Sequence, residues 1–203
     1  MKKFTTLTSK AVALPIKDVD TDLIIPAQFL TRVSDAGYGD CLFRRLRDSD
    51  PNFPLNQPRY QGAEILVADD NFGCGSSREH AVWALRDGGF KAVIAKSFAD
   101  IFSGNAANNG LLLVKLVPEV IDQMINSILI SNGTPEITVD LENQVVSYQG
   151  KQSSFDYDPF RKHCLINGLE TIDYLHAERE LVTKFAEHHL VTAMIPPLRI
   201  NCN

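Results

Sequence analysis

Three short apolar runs, residues 64–68, 91–95 and 110–114, are separated by stretches with helical spacing and joined by short links. Strand–helix–strand alternation of this kind implies parallel pairing through right-handed crossovers. The intervening stretches read as helices over residues 77–87, closed by Gly88-Gly89, and over residues 98–105. A third helix, amphipathic and with proline at its start, is expected over residues 118–130. The middle of the chain is thereby committed to an α/β sheet.

The flanks are less regular. Ala11-Val12-Ala13-Leu14 reads as a strand, Asp18-Val19-Asp20-Thr21-Asp22 as an acidic turn, and Leu23-Ile24-Ile25-Pro26 as an apolar stop. Residues 30–60, rich in Gly, Asp, Pro and Arg, read as a long, irregular, partly mobile segment of the kind that serves as a functional loop. Residues 136–141 and 144–148 flank Glu142-Asn143 as a hairpin. Residues 159–190 read as helical, divided into two helices at Gly168, and the tail from Pro196-Pro197 as loose. The expectation is one α/β domain over residues 1–203, with a core of about 4–160, a C-terminal helical extension of about 159–190 and a loose tail over 191–203.

Composition narrows the function classes. The 203 residues are 44% hydrophobic and 22% charged, as in a soluble globular protein, and the net charge of −5 offers nothing to nucleic acid or to an acidic membrane. No apolar run approaches the roughly 20 residues needed to span a bilayer. No long apolar core follows the basic start Met1-Lys2-Lys3, so a cytoplasmic location is expected. Cys41, Cys74, Cys164 and Cys202 form no close pair, which argues against a disulfide framework, a zinc site or a self-contained iron–sulfur cluster.

The densest chemistry lies in Gly73-Cys74-Gly75-Ser76-Ser77-Arg78-Glu79-His80, between an expected strand and an expected helix. One reading is local structure: Ser76 as N-cap and Glu79 three residues on make a capping box. That reading leaves Gly73 and Gly75 unexplained, and it leaves Arg78 in a first helical turn where the dipole disfavours a cation. An anion site accounts for all of them: glycines that let backbone N–H groups approach, a helix N-terminus, and a guanidinium able to grip a carboxylate. Neither the Walker phosphate loop nor the dinucleotide fingerprint is matched. Cys74 near a helix N-terminus is a weaker nucleophile candidate, having no base partner in the sequence. Asp20-Thr21-Asp22 suits a turn better than a cation site, His80 suits a packed helix face as well as a carboxylate partner, and Arg44, Arg45 and Arg47 read as a solvated basic run or a partner surface.

Asp20-Thr21-Asp22-Leu23-Ile24-Ile25-Pro26, then the octapeptide at 73–80, then Lys96-Ser97-Phe98-Ala99-Asp100-Ile101-Phe102, in this order and spacing, resemble the small subunits of 3-isopropylmalate dehydratase, in the aconitase superfamily. The resemblance covers about residues 4–190. It implies the aconitase swivel-domain-like β/β/α fold, and one half of a heteromeric hydro-lyase that interconverts 2- and 3-isopropylmalate by dehydration and rehydration in leucine biosynthesis. It implies a large-subunit partner carrying a [4Fe-4S] cluster, a hydroxy dicarboxylic acid substrate, and no metal bound by this chain alone. Carried across, Ser76 is the base that removes the proton next to a carboxylate. Ser77 and Arg78 bind substrate carboxylate, and Asp22 supports the site from the other loop. The segment after Pro26 is the recognition loop, here Gln28-Phe29-Leu30-Thr31-Arg32. Phe29 and Leu30 are candidates to receive the isopropyl group, and Thr31 and Arg32 to complete substrate binding. Two alternatives stay open: the small subunit of a related hydro-lyase (homoaconitase-like or methylmalate/citraconate type), and a non-catalytic anion-binding module.

Overall fold

The computed structural model describes residues 1–30, 37–131, 135–177 and 179–192. In chain order its regular elements are β1 (Thr6–Leu14), α1 (Thr21–Ile24), α2 (Arg44–Ser49), β2 (Ile65–Ala68), α3 (Glu79–Asp87), β3 (Ala92–Ala95), α4 (Asp100–Asn108), β4 (Leu112–Lys115), α5 (Pro118–Ile130), β5 (Glu136–Asp140), β6 (Val145–Tyr148), β7 (Lys151–Ser154), α6 (Pro159–Asn167), α7 (Thr171–Ala177) and α8 (Arg179–Thr192). The strands form one mixed sheet in the order β4-β3-β2-β1-β5-β6-β7.

The three apolar runs are the parallel strands β2, β3 and β4, and both β2 and β3 are buried at every position. Burial on two faces is why they lack polar alternation. Strand β1 is longer than its apolar core suggested, because it serves two partners. Ala11–Leu14 pair in parallel with β2, whereas Thr6–Lys10 pair antiparallel with β5. The antiparallel half alternates exposed and buried residues, so its polar positions hid it. The hairpin is β5–β6 as expected, but a third strand, β7, extends it after Gln149-Gly150. Lys151–Ser154 are mostly exposed on this edge, which leaves no hydrophobic signal to read.

Two expected helices start later than the spacing indicated, at Glu79 and Asp100 rather than 77 and 98. The 30–60 segment is not irregular over its described part. It carries α2 and three single 3-10 turns, and it buries Tyr38, Cys41, Leu42, Phe43, Phe53 and Tyr60 in the main core. Its prolines start 3-10 turns at Pro54 and Pro58. The C-terminal region divides at Gly168 as expected: α6 ends there, and the helical stretches α7 and α8 follow on either side of residue 178, which lies outside the described residues. Most of the expected loose tail lies outside the described residues. Among the described residues no helix is long and apolar enough to cross a membrane.

Strands β1, β2 and β3 point the same way, so the segments that leave their C-terminal ends meet on one edge. In an open α/β sheet that edge is where ligands are held.

Candidate active site

The segments after β1, β2 and β3 are laced together as a short continuation of the sheet. Asp20 and Cys74 form a parallel bridge, as do Phe72 and Phe98. Gly73 N donates to Val19 O at 2.7 Å, Thr21 N to Cys74 O at 2.9 Å, and Phe72 N to Ser97 O at 3.1 Å. Fully buried Phe72 packs edge-on against Phe98 and Phe102 and pins the middle segment from below. Each aromatic pair of this kind contributes about 0.5–1.5 kcal/mol beyond area burial.

Both glycines of the octapeptide are demanded by this close approach. Gly73 (φ +79°) has its Cα against the Phe102 ring, and a Cβ there would lie 2.2 Å from Phe102 Cγ. Gly75 (φ +85°) sits over α1, and a Cβ would meet the Asp20 Cβ at 3.3 Å. Both turn left-handed, a conformation that L residues with side chains adopt only at a cost.

The capping box does not form. Arg78, not Ser76, occupies the N-cap of α3, in an extended conformation (φ −125°, ψ 105°) and without a side-chain cap. Glu79 does not reach back; its Oε1 accepts from Asn109 Nδ2 at 2.6 Å, tying α3 to the end of α4. The physical reason is tertiary. The Ser76 carbonyl accepts from the buried Thr21 Oγ1 at 2.9 Å, and this draws the segment onto α1 instead of into a helix. The Ser76 and Ser77 side chains are exposed, and their hydroxyls make no hydrogen bond among the described residues.

Arg78 finds its counter-charge within the chain. Its Nη1 donates to Asp22 Oδ1 at 2.7 Å and, more weakly, to Ile25 O at 3.4 Å. The cost expected of a cation at a helix start is therefore offset by Asp22 before any ligand arrives. Asp22 also accepts from Ala27 N at 3.1 Å, which anchors the 3-10 turn Ala27–Phe29 at the head of the segment after Pro26. Its second oxygen, Oδ2, pairs with Arg45 Nη1. The Arg78 guanidinium above all, against a smaller opposing effect of burial, and with help from the Ala27 N–H and Arg45, holds the Asp22 carboxyl below the usual carboxylate range.

Asp20 is the N-cap of α1, accepting from Leu23 N at 2.6 Å. Phe29 and Leu30 are half-buried against the main core. Thr31 and Arg32 lie outside the described residues. His80 packs against Tyr38 and Trp83, with ring centroids 5.4 and 4.7 Å away. Burial first, and then the carboxylates of Asp20 and Asp18, push the Cys74 thiol up. That is the reverse of what a nucleophilic cysteine needs.

Three contributors escaped the sequence. Thr21 was read only as part of a turn, Arg45 as a solvated charge, and Lys96 only as part of a motif. Lys96 Nζ bridges Asp69 Oδ1 at 2.7 Å and Asp122 Oδ1 at 2.6 Å, tying the ends of β2 and β3 to α5. A small hydroxyl residue set between two aspartates in the upstream motif was the one available signal for Thr21. Among the described residues no group of three or more His, Cys, Asp or Glu side chains is placed to hold a metal ion.

The family model of the aconitase C-terminal domain matches residues 1–119. The 3-isopropylmalate dehydratase small subunit of Francisella tularensis subsp. novicida is 49% identical over 187 residues, covering 92% of this chain and 98% of that protein. The protein of the same name from Herpetosiphon aurantiacus is 46% identical over 189 residues, covering 93% of this chain and 95% of its own. Among solved structures, 3-isopropylmalate dehydratase of Methanocaldococcus jannaschii superposes with a TM-score of 0.65 at 28% identity, covering 88% of this chain and 98% of that one.

Proposed function

Since the chain belongs to the family of 3-isopropylmalate dehydratase small subunits, within the aconitase C-terminal-domain group, we propose that it is the proton-handling half of a heteromeric hydro-lyase. The enzyme interconverts 2-isopropylmalate and 3-isopropylmalate through dehydration and rehydration, a step of leucine biosynthesis. A small subunit implies a large one, and its partner is that large subunit. In this reading the [4Fe-4S] cluster of the superfamily is carried by the large subunit, as membership of the small-subunit family suggests. When bound there, the cluster supplies Lewis acidity for the hydroxyl that departs.

The observation that carries this reading is the pair of exposed, unbonded hydroxyls of Ser76 and Ser77 held next to Arg78, whose guanidinium is fixed by Asp22 at 2.7 Å. Asp22 and Ile25 O engage Nη1 of Arg78 and leave its Nε and Nη2 donors for a substrate carboxylate. A carboxylate gripped there by Arg78 and Ser77 presents its neighbouring carbon to Ser76. The Ser76 Oγ, as alkoxide, takes the proton from that carbon; the electron pair becomes the new double bond as hydroxyl leaves the adjacent carbon. Re-addition of water with the opposite regiochemistry completes the isomerisation.

A serine alkoxide is a strong base that needs stabilisation. The Arg78 charge, the unbonded first amides of α3 and water exclusion on closing against the large subunit supply it. Phe29 and Leu30, on the turn that Asp22 anchors, form the apolar side of the pocket for the isopropyl group.

The test is reconstitution with the cognate large subunit under anaerobic conditions, following the unsaturated acid by ultraviolet absorbance. Ser76→Ala is expected to assemble normally and to lose at least about 10³-fold in kcat, the scale at which essential proton-transfer groups contribute. Near-normal turnover by that variant removes Ser76 from the mechanism. Turnover by the purified chain alone, with no partner, overturns the half-site reading.

A further inference from the structure

Thr21 is one of only two buried polar residues in the described chain, at 2% exposure. Both of its donors go to the octapeptide. The backbone N–H donates to Cys74 O and the hydroxyl to Ser76 O, each at 2.9 Å. These two bonds bracket Gly75, whose Cα lies directly over the same threonine, with a Cβ there 3.8 Å from Thr21 Oγ1. One residue thus fixes both ends of Cys74–Gly75–Ser76, the backbone of Thr21 holding the first and its side chain the second.

The orientation that follows is specific. In a trans peptide the C=O and the following N–H point in opposite directions. With Ser76 C=O turned down onto α1, Ser77 N–H is turned away from α1, in a stretch where Ser76 and Ser77 are both exposed. That N–H makes no hydrogen bond among the described residues. We propose that Thr21 is a positioning residue for the reaction, holding the Ser76–Ser77 peptide so that Ser77 N–H faces the substrate carboxylate while Ser76 Oγ faces the carbon next to it. This rests on the reading of Ser76 as the base. It assigns to the hydroxyl of Thr21 a duty that packing alone does not require, since valine has the same shape.

The conservative pair Thr21→Val and Thr21→Ser separates hydrogen bonding from packing. In the reconstituted complex Thr21→Val is expected to lower kcat about 30- to 100-fold with KM within about threefold, the size expected when a reacting group is misplaced by a fraction of an ångström to one ångström. Thr21→Ser, which keeps the hydroxyl, is expected to recover kcat to within about threefold. In the isolated full chain, NMR order parameters at Ser76 and Ser77 are expected to fall below about 0.6 in Thr21→Val and to stay at wild-type values in Thr21→Ser.

Unchanged kcat and order in Thr21→Val, with Ser76→Ala inactive, overturns the positioning role and leaves the Ser76 reading standing. A rate loss that Thr21→Ser fails to recover, or one confined to KM or to subunit assembly, also overturns it. Full activity in Ser76→Ala removes the reading beneath it, and the order parameters then report on the peptide independently of rate.

Discussion

Arg78 Nη1 lies 2.7 Å from Asp22 Oδ1, joining residues 56 positions apart in the chain. This ion pair makes one site out of two motifs that are unrelated in sequence. It ties the guanidinium to the segment after Pro26, whose first 3-10 turn Asp22 also holds through Ala27 N.

Removing the carboxylate charge frees Arg78. The Arg78 side chain is 19% exposed and Asp22 30%, so part of their attraction is screened by water. Asp22→Asn is expected to cost about 1–2 kcal/mol in urea unfolding and to lower kcat/KM of the complex by at least about 10²-fold. Arg45→Ala is expected to cost at most about 0.5 kcal/mol, because that side chain is 57% exposed. Equal losses in the two variants would show that Arg78 is not the dominant partner.

The same pair gives a pH dependence with a defined sign. The folded state holds the Asp22 carboxyl below its unfolded value, chiefly through Arg78. Its stabilisation is therefore fully present above the unfolded value of about 3.9 and is lost as pH falls through the lower, folded value. The stability difference between wild type and Asp22→Asn, measured by denaturant titration, is expected to be constant from pH 7 to 5 and to shrink below about pH 4. A difference that grows on acidification would contradict the pairing.

Gly73 should tolerate no side chain. A Cβ 2.2 Å from Phe102 Cγ at φ +79° combines a steric clash with left-handed strain. Gly73→Ala is expected to destabilise the chain by about 3 kcal/mol, as the sum of roughly 1–2 for the conformation and 1–3 for overpacking. Thermal unfolding measures it, and a cost below about 1 kcal/mol would mean that the turn relaxes freely.

Cys74 is expected to be dispensable for chemistry. Burial and the nearby carboxylates of Asp20 and Asp18 keep its thiol protonated near neutrality. Cys74→Ala is expected to keep kcat within about threefold, and the wild-type thiol to react with iodoacetamide more slowly than a free cysteine at pH 7.5. Rapid alkylation with parallel loss of turnover would return Cys74 to the mechanism.

What the sequence alone determined is what depends on near neighbours. Apolar runs buried on both faces declare β2, β3 and β4 wherever they sit, and helix α5 begins at its proline, as expected. The string from Gly73 to His80 marked a tight glycine turn between β2 and α3, and its resemblance to a known family supplied candidate roles. The tertiary structure decided what depends on distant partners. The capping box at Ser76 is locally favourable, yet it loses to a hydrogen bond from Thr21, 55 residues away. Strand β1 owes its length to β5, β7 exists as an edge on β6, and Arg78 finds Asp22 rather than waiting for a ligand. Propensity and periodicity act over a few residues, whereas a buried hydroxyl or a half-buried charge is satisfied by whichever group the fold brings within 3 Å. Only the folded chain shows which group that is.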